Sequence, residues 1–218
     1  MRGSRSRDER FSGRIAGFGT SEGMRVVIGM WHDSPLGAFA DVMLEDVAGH
    51  RMLLAPRDDV ADYIAATYTF DEVRVLPVRS RRIEGGLEVV AGGSGASAPF
   101  FHARLRIGAV TALGRLLRSV PRPLATDPRW LAALDPLASR LMPGVHTAGT
   151  AGGGRREYYG VTALREIAWA EAAFDGRHLG AFAALDPPVR FGFGSAPRDP
   201  QLADVVTTIR SADPPPAR

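Results

Sequence analysis

Residues 24–55, MRVVIGMWHDSPLGAFADVMLEDVAGHRMLLA, contain the pattern that decides the fold. Residues 24–31 are rich in valine and isoleucine, which is typical of a buried strand. Residues 32–37 combine aspartate, serine, proline and glycine, a composition that favours a turn. Residues 38–47 and 51–55 flank a short Ala-Gly-His sequence and therefore predict a β-hairpin.

Further strands are predicted on both sides of a glycine-containing loop. The residue pattern indicates strands at 72–78, 82–91, 100–107, 189–193 and 204–210. The third of them alternates cleanly: apolar side chains face one way, and His102, Arg104 and Arg106 face the other. This alternation predicts a half-buried antiparallel strand with one polar face.

Three helices are predicted, each from an apolar stripe or a starting signal. Residues 56–67 carry acids in their first turn, and residues 110–120 place three leucines on one side. Asp127 and Pro128 suit the first positions of a helix that runs through Leu141. Pro136 lies inside that pattern and predicts a kink or a division into two short helices.

Residues 162–174 are ambiguous between helix and strand. Their alanine, leucine and glutamate content favours a helix, whereas the following Asp175-Gly176 favours a type I′ hairpin. We predict a helical turn at 162–165 and then two strands joined by that turn.

Hairpin strands with helices in blocks predict an α+β fold with a mainly antiparallel sheet, either curved or closed into a β-barrel with a few short helices. We expect a basic, disordered leader at 1–23, a single β-rich domain at 24–210 and a disordered proline-rich tail at 211–218. No apolar run is long enough for a membrane span, and residues 1–14 lack a secretory signal. A cytoplasmic location is therefore expected.

The composition excludes several reaction classes. All 27 basic residues are arginine, and the chain has neither lysine nor cysteine. A lysine Schiff base, a phosphate-loop lysine, a cysteine nucleophile, a Cys-ligated metal and a disulfide are thus excluded, and no cofactor is expected. Residues 1–14 hold five arginines and two acids, which leaves 22 arginines and 22 acids in the rest. This balance argues against a nucleic-acid partner.

His102, Arg104 and Arg106 are the first candidate site. If their face lines a barrel, they form a cationic wall for an anionic ligand; if it faces water, they are an ordinary solvated strand surface.

Residues 152–159, GGGRREYY, are the second candidate. Successive glycines can point backbone N–H groups at an anion. Arg155 and Arg156 can form bidentate hydrogen bonds with a carboxylate or phosphate beside Tyr158. A turn with a solvated basic end is the alternative.

His32 and Asp33 are candidates for a general base and its orienting carboxylate, with a turn as the alternative. Asp41 and Glu45 share one strand face, and inside a barrel their proximity would raise the pKa of one of them. The five histidines have no metal-ligand spacing, so no metal site is predicted. The glycine-rich stretches at 17–23, 92–96 and 192–197 match neither a dinucleotide site nor a nucleophile elbow.

Several segments resemble a family from GC-rich actinobacteria that has no established activity. The resemblance rests on WHDSPLGAFADVMLE at 31–45, HRMLLAP at 50–56, YTFDEVRVLPV at 68–78, RREYYG at 155–160 and PPVRFGFGSAP at 187–197. The shorter DSPLGAF is also similar to part of the acetoacetate decarboxylase-like barrels. That family uses a lysine Schiff base, so the resemblance implies a shared barrel fold and carries over no catalytic residue.

Three functions remain open. The first is a barrel-like domain that binds a small anionic organic molecule through arginine, either as an enzyme without a Schiff base or as a plain binder. The second is a structural or interaction module without catalysis that forms a homo-oligomer through sheet edges or the proline-containing helices. The third is an adaptor whose basic leader contacts nucleic acid or anionic lipid.

Overall fold

The computed structural model describes residues 7–93, 98–141, 146–192 and 196–211. One sheet contains all the strands: β1 Arg7–Thr20, β2 Arg25–Asp33, β3 Phe39–Glu45, β4 Arg51–Ala55, β5 Glu72–Val75, β6 Val78–Ile83, β7 Gly86–Ala91, β8 Phe101–Val110, β9 Ala148–Thr150, β10 Arg156–Phe174, β11 Arg177–His178, β12 Phe182–Ala183 and β13 Gln201–Ser211. The helices are α1 Asp58–Ala65, α2 Ala112–Ser119, α3 Arg122–Ala125 and α4 Pro128–Leu141, with a 3-10 turn at Gly152–Gly154.

The strand order is β5-β4-β3-β2-β1-β13-β10-β8-β7-β6, and the short strands β9, β11 and β12 pair outside this path. Neighbouring strands are antiparallel throughout except for the parallel pair β4 and β5. The sheet curls, so β6 approaches β3, and the Arg74 guanidinium lies 4.3 Å from the ring centre of Phe100. The predicted α+β fold with a curved, mainly antiparallel sheet is confirmed.

The two faces of the sheet have different coverings. One face, which we call the core face, is lined by a continuous apolar core that includes Phe18, Ile28, Leu54, Phe101 and Leu105. Along each strand the alternate residues point to the opposite face, which we call the helix face. There α1 packs its buried stripe against β4, in a cluster formed by Leu53, Ala55, Val60, Ala61 and Ile64.

Side-chain caps explain where two of the helices begin. The Thr111 hydroxyl accepts a hydrogen bond from the Gly114 backbone N–H at 2.9 Å at the start of α2. Asp127 Oδ1 accepts from the backbone N–H groups of Arg129 and Trp130, at 2.8 and 3.0 Å, as predicted for α4. The predicted division of α4 at Pro136 is wrong, because the helix continues past this residue to Leu141. A proline inside a helix removes one backbone hydrogen-bond donor, and α4 accommodates that loss.

The predicted disordered leader is wrong for residues 7–23. Residues 7–20 form β1, which lies in the middle of the sheet between β2 and β13. Its charges are neutralised by β13: Arg14 Nε lies 3.0 Å from Asp204 Oδ1, and Asp8 pairs with Arg210. These partners are distant in sequence, so the strand looks locally like a solvated basic segment. Residues 1–6 and 212–218 lie outside the described residues, and their predicted disorder stays a prediction.

The helical turn predicted at 162–165 is also wrong, because these residues belong to β10. That strand pairs with β13 and β8 on its two sides, and this pairing overrides the local preference for helix. The Asp175-Gly176 turn is confirmed: both residues have positive φ, at 48° and 72°, as a type I′ hairpin requires.

Two other strand predictions need correction. Residues 189–192 are not in a strand, and residue 193 lies outside the described residues. The strand predicted at 72–78 ends at Val75, and Val78 begins β6 after a proline that cannot donate to a strand ladder. Among the described residues, no helix is long and apolar enough to cross a membrane.

Candidate functional site

The predicted cationic face of β8 lies on the outside of the curled sheet. Phe101, Ala103 and Leu105 fill the core, whereas Arg104 and Arg106 are exposed. The expectation that Arg104 and Arg106 line a barrel interior is therefore wrong, because apolar side chains fill that interior. The alternative, a solvated strand surface, is what the structure shows.

An ion-pair cluster covers this outer face. Glu88 Oε1 accepts a hydrogen bond from Arg104 Nε at 3.0 Å and lies 3.2 Å from His102 Nε2, while Arg81 bonds the other oxygen. The hydrogen bonds from Arg81, Arg104 and His102 lower the pKa of Glu88 to about 2. Arg81, His102 and Arg104 thus all share the Glu88 carboxylate as their partner within the protein.

The two arginines of the GGGRREYY segment do not converge. Arg155 Nη1 donates to Thr67 Oγ1 at 2.9 Å, and its guanidinium lies 5.0 Å from the ring centre of Tyr63. Arg156 lies 5.9 Å from the ring of Tyr158, which is buried on the opposite side of the strand from Glu157. Successive residues of a strand point to opposite faces, so the predicted anion-binding fork is not formed.

Two further predictions concern β2. His32 and Asp33 end this strand and are both exposed, so the structure places them on the surface. Their proposed role as a base and its orienting carboxylate stays a prediction.

The structure instead brings polar side chains together in a cavity on the helix face, under α1. This cavity of about 70 Å³, the α1 cavity, is lined by α1, β1, β2, β3, β10 and β13 and by Val189, Phe191, Gly192 and Ala196. Seven of its twenty described lining residues are aromatic. The aromatic residues lining it are Phe11, Trp31, Phe39, Tyr63, Tyr68, Tyr159 and Phe191.

Asp41 is fully buried in the wall of the α1 cavity. Its Oδ1 accepts a hydrogen bond from Trp31 Nε1 at 3.0 Å. Gly29 lies opposite Asp41 in the sheet, and a Cβ there would lie 2.3 Å from Oδ1, so only glycine leaves room for this contact. The Oδ2 atom is buried and has no hydrogen-bond partner among the described residues.

Burial raises the pKa of Asp41 to about 7, against the hydrogen bond from Trp31. A raised pKa was predicted for one of Asp41 and Glu45, but the predicted cause is wrong. Glu45 is neutralised by Arg25, at 3.3 Å, and by Arg190, so desolvation of Asp41 is the cause rather than repulsion between the two acids.

Glu157 is the second buried carboxyl group of the α1 cavity. Tyr68 Oη donates to its Oε1 at 2.6 Å and lies 2.8 Å from Tyr159 Oη. Its Oε2 is buried without a hydrogen-bond partner among the described residues. Burial raises the pKa of Glu157 to about 7, although the tyrosine hydroxyls act in the opposite direction. Burial and the nearby Glu157 charge raise the pKa of Tyr68 well above its usual value.

The unpaired oxygens of Asp41 and Glu157 can accept hydrogen bonds from a small molecule bound in the cavity. Thr207 Oγ1 also lines the cavity without a partner among the described residues. The sequence analysis placed Glu157 in a surface anion site and did not predict that it is a buried carboxyl group of the cavity, because β10 was not recognised as one continuous strand. The alternation of Arg156, Glu157 and Tyr158 was the available signal, since it places Glu157 and Tyr158 on opposite faces.

Asp41→Asn is expected to make stability less dependent on pH. The folded pKa lies above the ordinary value near 4, so the folded state keeps a proton that the unfolded state releases between about pH 4 and 7. The stability that this bound proton contributes to the folded state is fully present below pH 4 and is lost as the pH rises to 7. Between about pH 5 and 8 the wild type should lose on the order of 2 kcal/mol more than the variant, measured by urea unfolding.

The exposed Asp62 of α1 offers the matched control. Asp62→Asn should keep the pH dependence of the wild type, because its carboxyl group lies in water. Equal pH dependence of the wild type and Asp41→Asn would show that Asp41 ionises normally in the folded protein.

In the part of the chain that the structure describes, no three His, Asp or Glu side chains are placed to bind a metal ion together. No protein-family model matches this chain, and no curated protein matches it. Its fold is similar to the crystal structure of acetoacetate decarboxylase from Legionella pneumophila subsp. pneumophila str. Philadelphia 1. The two chains are 9% identical over 97% of this chain and 92% of the other, with a TM-score of 0.44. This is a weak resemblance of fold, and it transfers no residue or activity.

Proposed function

We propose that the protein binds a small molecule carrying a hydrogen-bond donor, best an amine, in the α1 cavity. The observation that supports this most strongly is the pair of buried carboxyl groups, Asp41 and Glu157, each with one oxygen unpaired among the described residues. A buried acceptor without a partner costs about 1–3 kcal/mol, so a donor from a ligand has a large effect there.

The aromatic walls favour the same ligand class. A cation near the faces of Trp31 or Phe39 gains from the ring electrons, and a nearby carboxylate neutralises its charge. The described lining contains two acids and no arginine. An anionic molecule held by arginine, as predicted from the sequence, would be repelled by this lining.

Butylamine is expected to bind more tightly than butanol, and butyrate is expected not to bind. Asp41→Asn and Glu157→Gln should each weaken butylamine binding about tenfold or more, the loss of one hydrogen bond to a charged group. Affinity should rise from about pH 5.5 to 8, because both carboxyl groups ionise near pH 7. Thermal shift and NMR titration at each pH measure these effects.

Several titratable groups surround Glu157, and they do not alter this sign. Tyr68 and Tyr63 stay protonated throughout that range, because burial raises the pKa of both hydroxyls. Tyr159 Oη lies 2.8 Å from Tyr68 Oη, Glu9 accepts from Tyr63 Oη, and the Arg155 guanidinium lies over the Tyr63 ring. The exposed carboxyl groups of Asp62 and Glu84 serve as controls, and Asp62→Asn and Glu84→Gln should bind butylamine like the wild type. Equal binding of all three ligands, or of none, would contradict the proposal.

Self-association is the second candidate function, and one feature of β5 favours it. This strand ends the sheet order, and its Val73 and Val75 are 42% and 47% exposed. An apolar strand edge can pair with another chain. Sedimentation velocity over a wide concentration range separates this function from ligand binding, since only self-association depends on protein concentration.

A further inference from the structure

A second and larger cavity lies on the helix face, beneath α2, α3 and α4. Its volume is about 460 Å³, which falls within the range of roughly 300–1,000 Å³ common for small-molecule sites. Leucines of α2 and α4 form its outer wall, and β1, β10 and β13 form its floor. The lining is apolar apart from Gln201, Thr147 and Tyr159, and the Thr147 hydroxyl is already bonded to the Leu131 carbonyl. We call it the α2–α4 cavity.

The two cavities share a boundary. Ile15, Tyr159 and Ala196 line both of them. The same three strands run beneath both, since Thr207 of β13 pairs with Phe11 of β1 and Tyr159 of β10 at the α1 cavity. Towards the α2–α4 cavity the next positions on that face are Gly13 and its partner Val205, followed by Ile15 and its partner Ala203. Val205, Ile15 and Ala203 all line the α2–α4 cavity. A molecule that bonds the carboxyl groups can therefore extend along the strands into apolar space.

Resting on the proposed function, we propose that the two cavities form one site for a single-chain amphiphile. Its amine head group binds Asp41 and Glu157 in the α1 cavity, and its hydrocarbon chain lies beneath α2 and α4. The unpaired oxygens are what specify the occupant: an apolar molecule without a donor would leave Asp41 Oδ2 and Glu157 Oε2 unsatisfied.

The α2–α4 cavity reaches the protein surface between two helices. Leu116 of α2 and Trp130 of α4 both line it, yet they are 64% and 38% exposed. Exposed apolar side chains at the rim of an apolar cavity suit the entrance of a hydrocarbon ligand. The hydrocarbon chain of a ligand therefore has a route to solvent that does not cross the sheet.

The test is a series of straight-chain amines from butylamine to dodecylamine, titrated below their micelle concentrations. Each added methylene should tighten binding about fourfold, equivalent to ~0.8 kcal/mol of buried hydrocarbon, until the cavity is filled. Alkanols of the same length should show the same gain per methylene from a weaker starting affinity. Alkanoates should bind more weakly than the amines at every length.

Two variants change the part of the site that would hold the hydrocarbon chain. Ala203→Phe places a ring in the α2–α4 cavity and should remove the gain with length. Leu134→Ala should enlarge the cavity and shift the plateau to longer amines. The second variant keeps the test decisive if the first fails to fold, because truncating a cavity-lining side chain introduces no clash.

The outcomes separate the two proposals. Butylamine binding with no gain along the series overturns the extended site and leaves the proposed function standing. A gain with length that Ala203→Phe and Leu134→Ala do not change also overturns it. No binding of any amine overturns both, and an affinity that is equal for amines, alkanols and alkanoates of one length overturns the role of the two carboxyl groups.

Discussion

Deletion of residues 1–14 is expected to abolish the cooperative unfolding transition, whereas deletion of residues 1–6 is expected to preserve it. Residues 7–14 pair with residues 204–211 of β13, and residues 12–14 pair with the end of β2. Because β1 lies in the middle of the sheet, removal of its residues 7–14 leaves backbone groups unpaired on both neighbouring strands.

The loss of Phe11 adds to this cost. Phe11 is 4% exposed and packs against Trp31 and Tyr63, with ring centres 5.8 and 5.2 Å away. Removing one such side chain costs about 3–5 kcal/mol, against a total stability of roughly 5–15 kcal/mol for an ordinary domain. Thermal unfolding followed by circular dichroism and tryptophan fluorescence measures the result. A chain without residues 1–14 that melts cooperatively near the wild-type temperature would show that β1 is dispensable.

The same strand limits what a deletion of residues 1–14 can show about an adaptor function. Arg10 donates to Thr126 Oγ1 at 3.2 Å, and Arg14 pairs with Asp204. Both guanidiniums are engaged within the protein. Loss of partner binding after deletion of residues 1–14 would therefore report loss of the fold.

Glu45→Ala is expected to destabilise the protein by about 3–5 kcal/mol, because it leaves a charge buried without its partner. The Arg25 side chain is 3% exposed, and the Glu45 side chain is fully buried. Arg25 would keep hydrogen bonds to the carbonyls of Asp46 and Pro187, but it would lose its only carboxylate partner among the described residues. Urea unfolding measures the change in the free energy of unfolding.

The exposed partner of Glu45 is the matched control. The Arg190 side chain is 68% exposed, so Arg190→Ala should cost about 1 kcal/mol or less. The Arg190 backbone N–H still donates to Glu45 Oε2 in that variant. Replacing Arg25 and Glu45 together by Met and Leu should recover most of the loss, since a buried pair can be exchanged for apolar side chains. Equal costs for Glu45→Ala and Arg190→Ala would contradict the assignment.

Local sequence patterns predicted much of the secondary structure. The hairpin of β3 and β4, the alternation of β8, the α4 cap and the Asp175-Gly176 turn were all predicted correctly. Each depends on residues close together in the chain, where side-chain period and turn chemistry act directly. The mainly antiparallel α+β architecture followed from the same patterns.

The site could not be predicted in this way. Asp41 lies on β3, Tyr68 follows α1 and Glu157 lies on β10, and only the tertiary fold brings them to one cavity. Their raised pKa values come from desolvation, which depends on what surrounds a group in space. The arginines that stood out in the sequence are on the surface or bonded elsewhere for the same reason.

The amino-acid sequence by itself determined the chemistry that is excluded and the elements that form. The absence of lysine and cysteine and the periods of the strands and helices are properties of the chain, whatever its tertiary contacts. The tertiary structure alone decided that a basic N-terminal segment is a central strand and that two buried carboxyl groups line one cavity. Both outcomes depend on pairing and burial between distant segments, which no local pattern encodes.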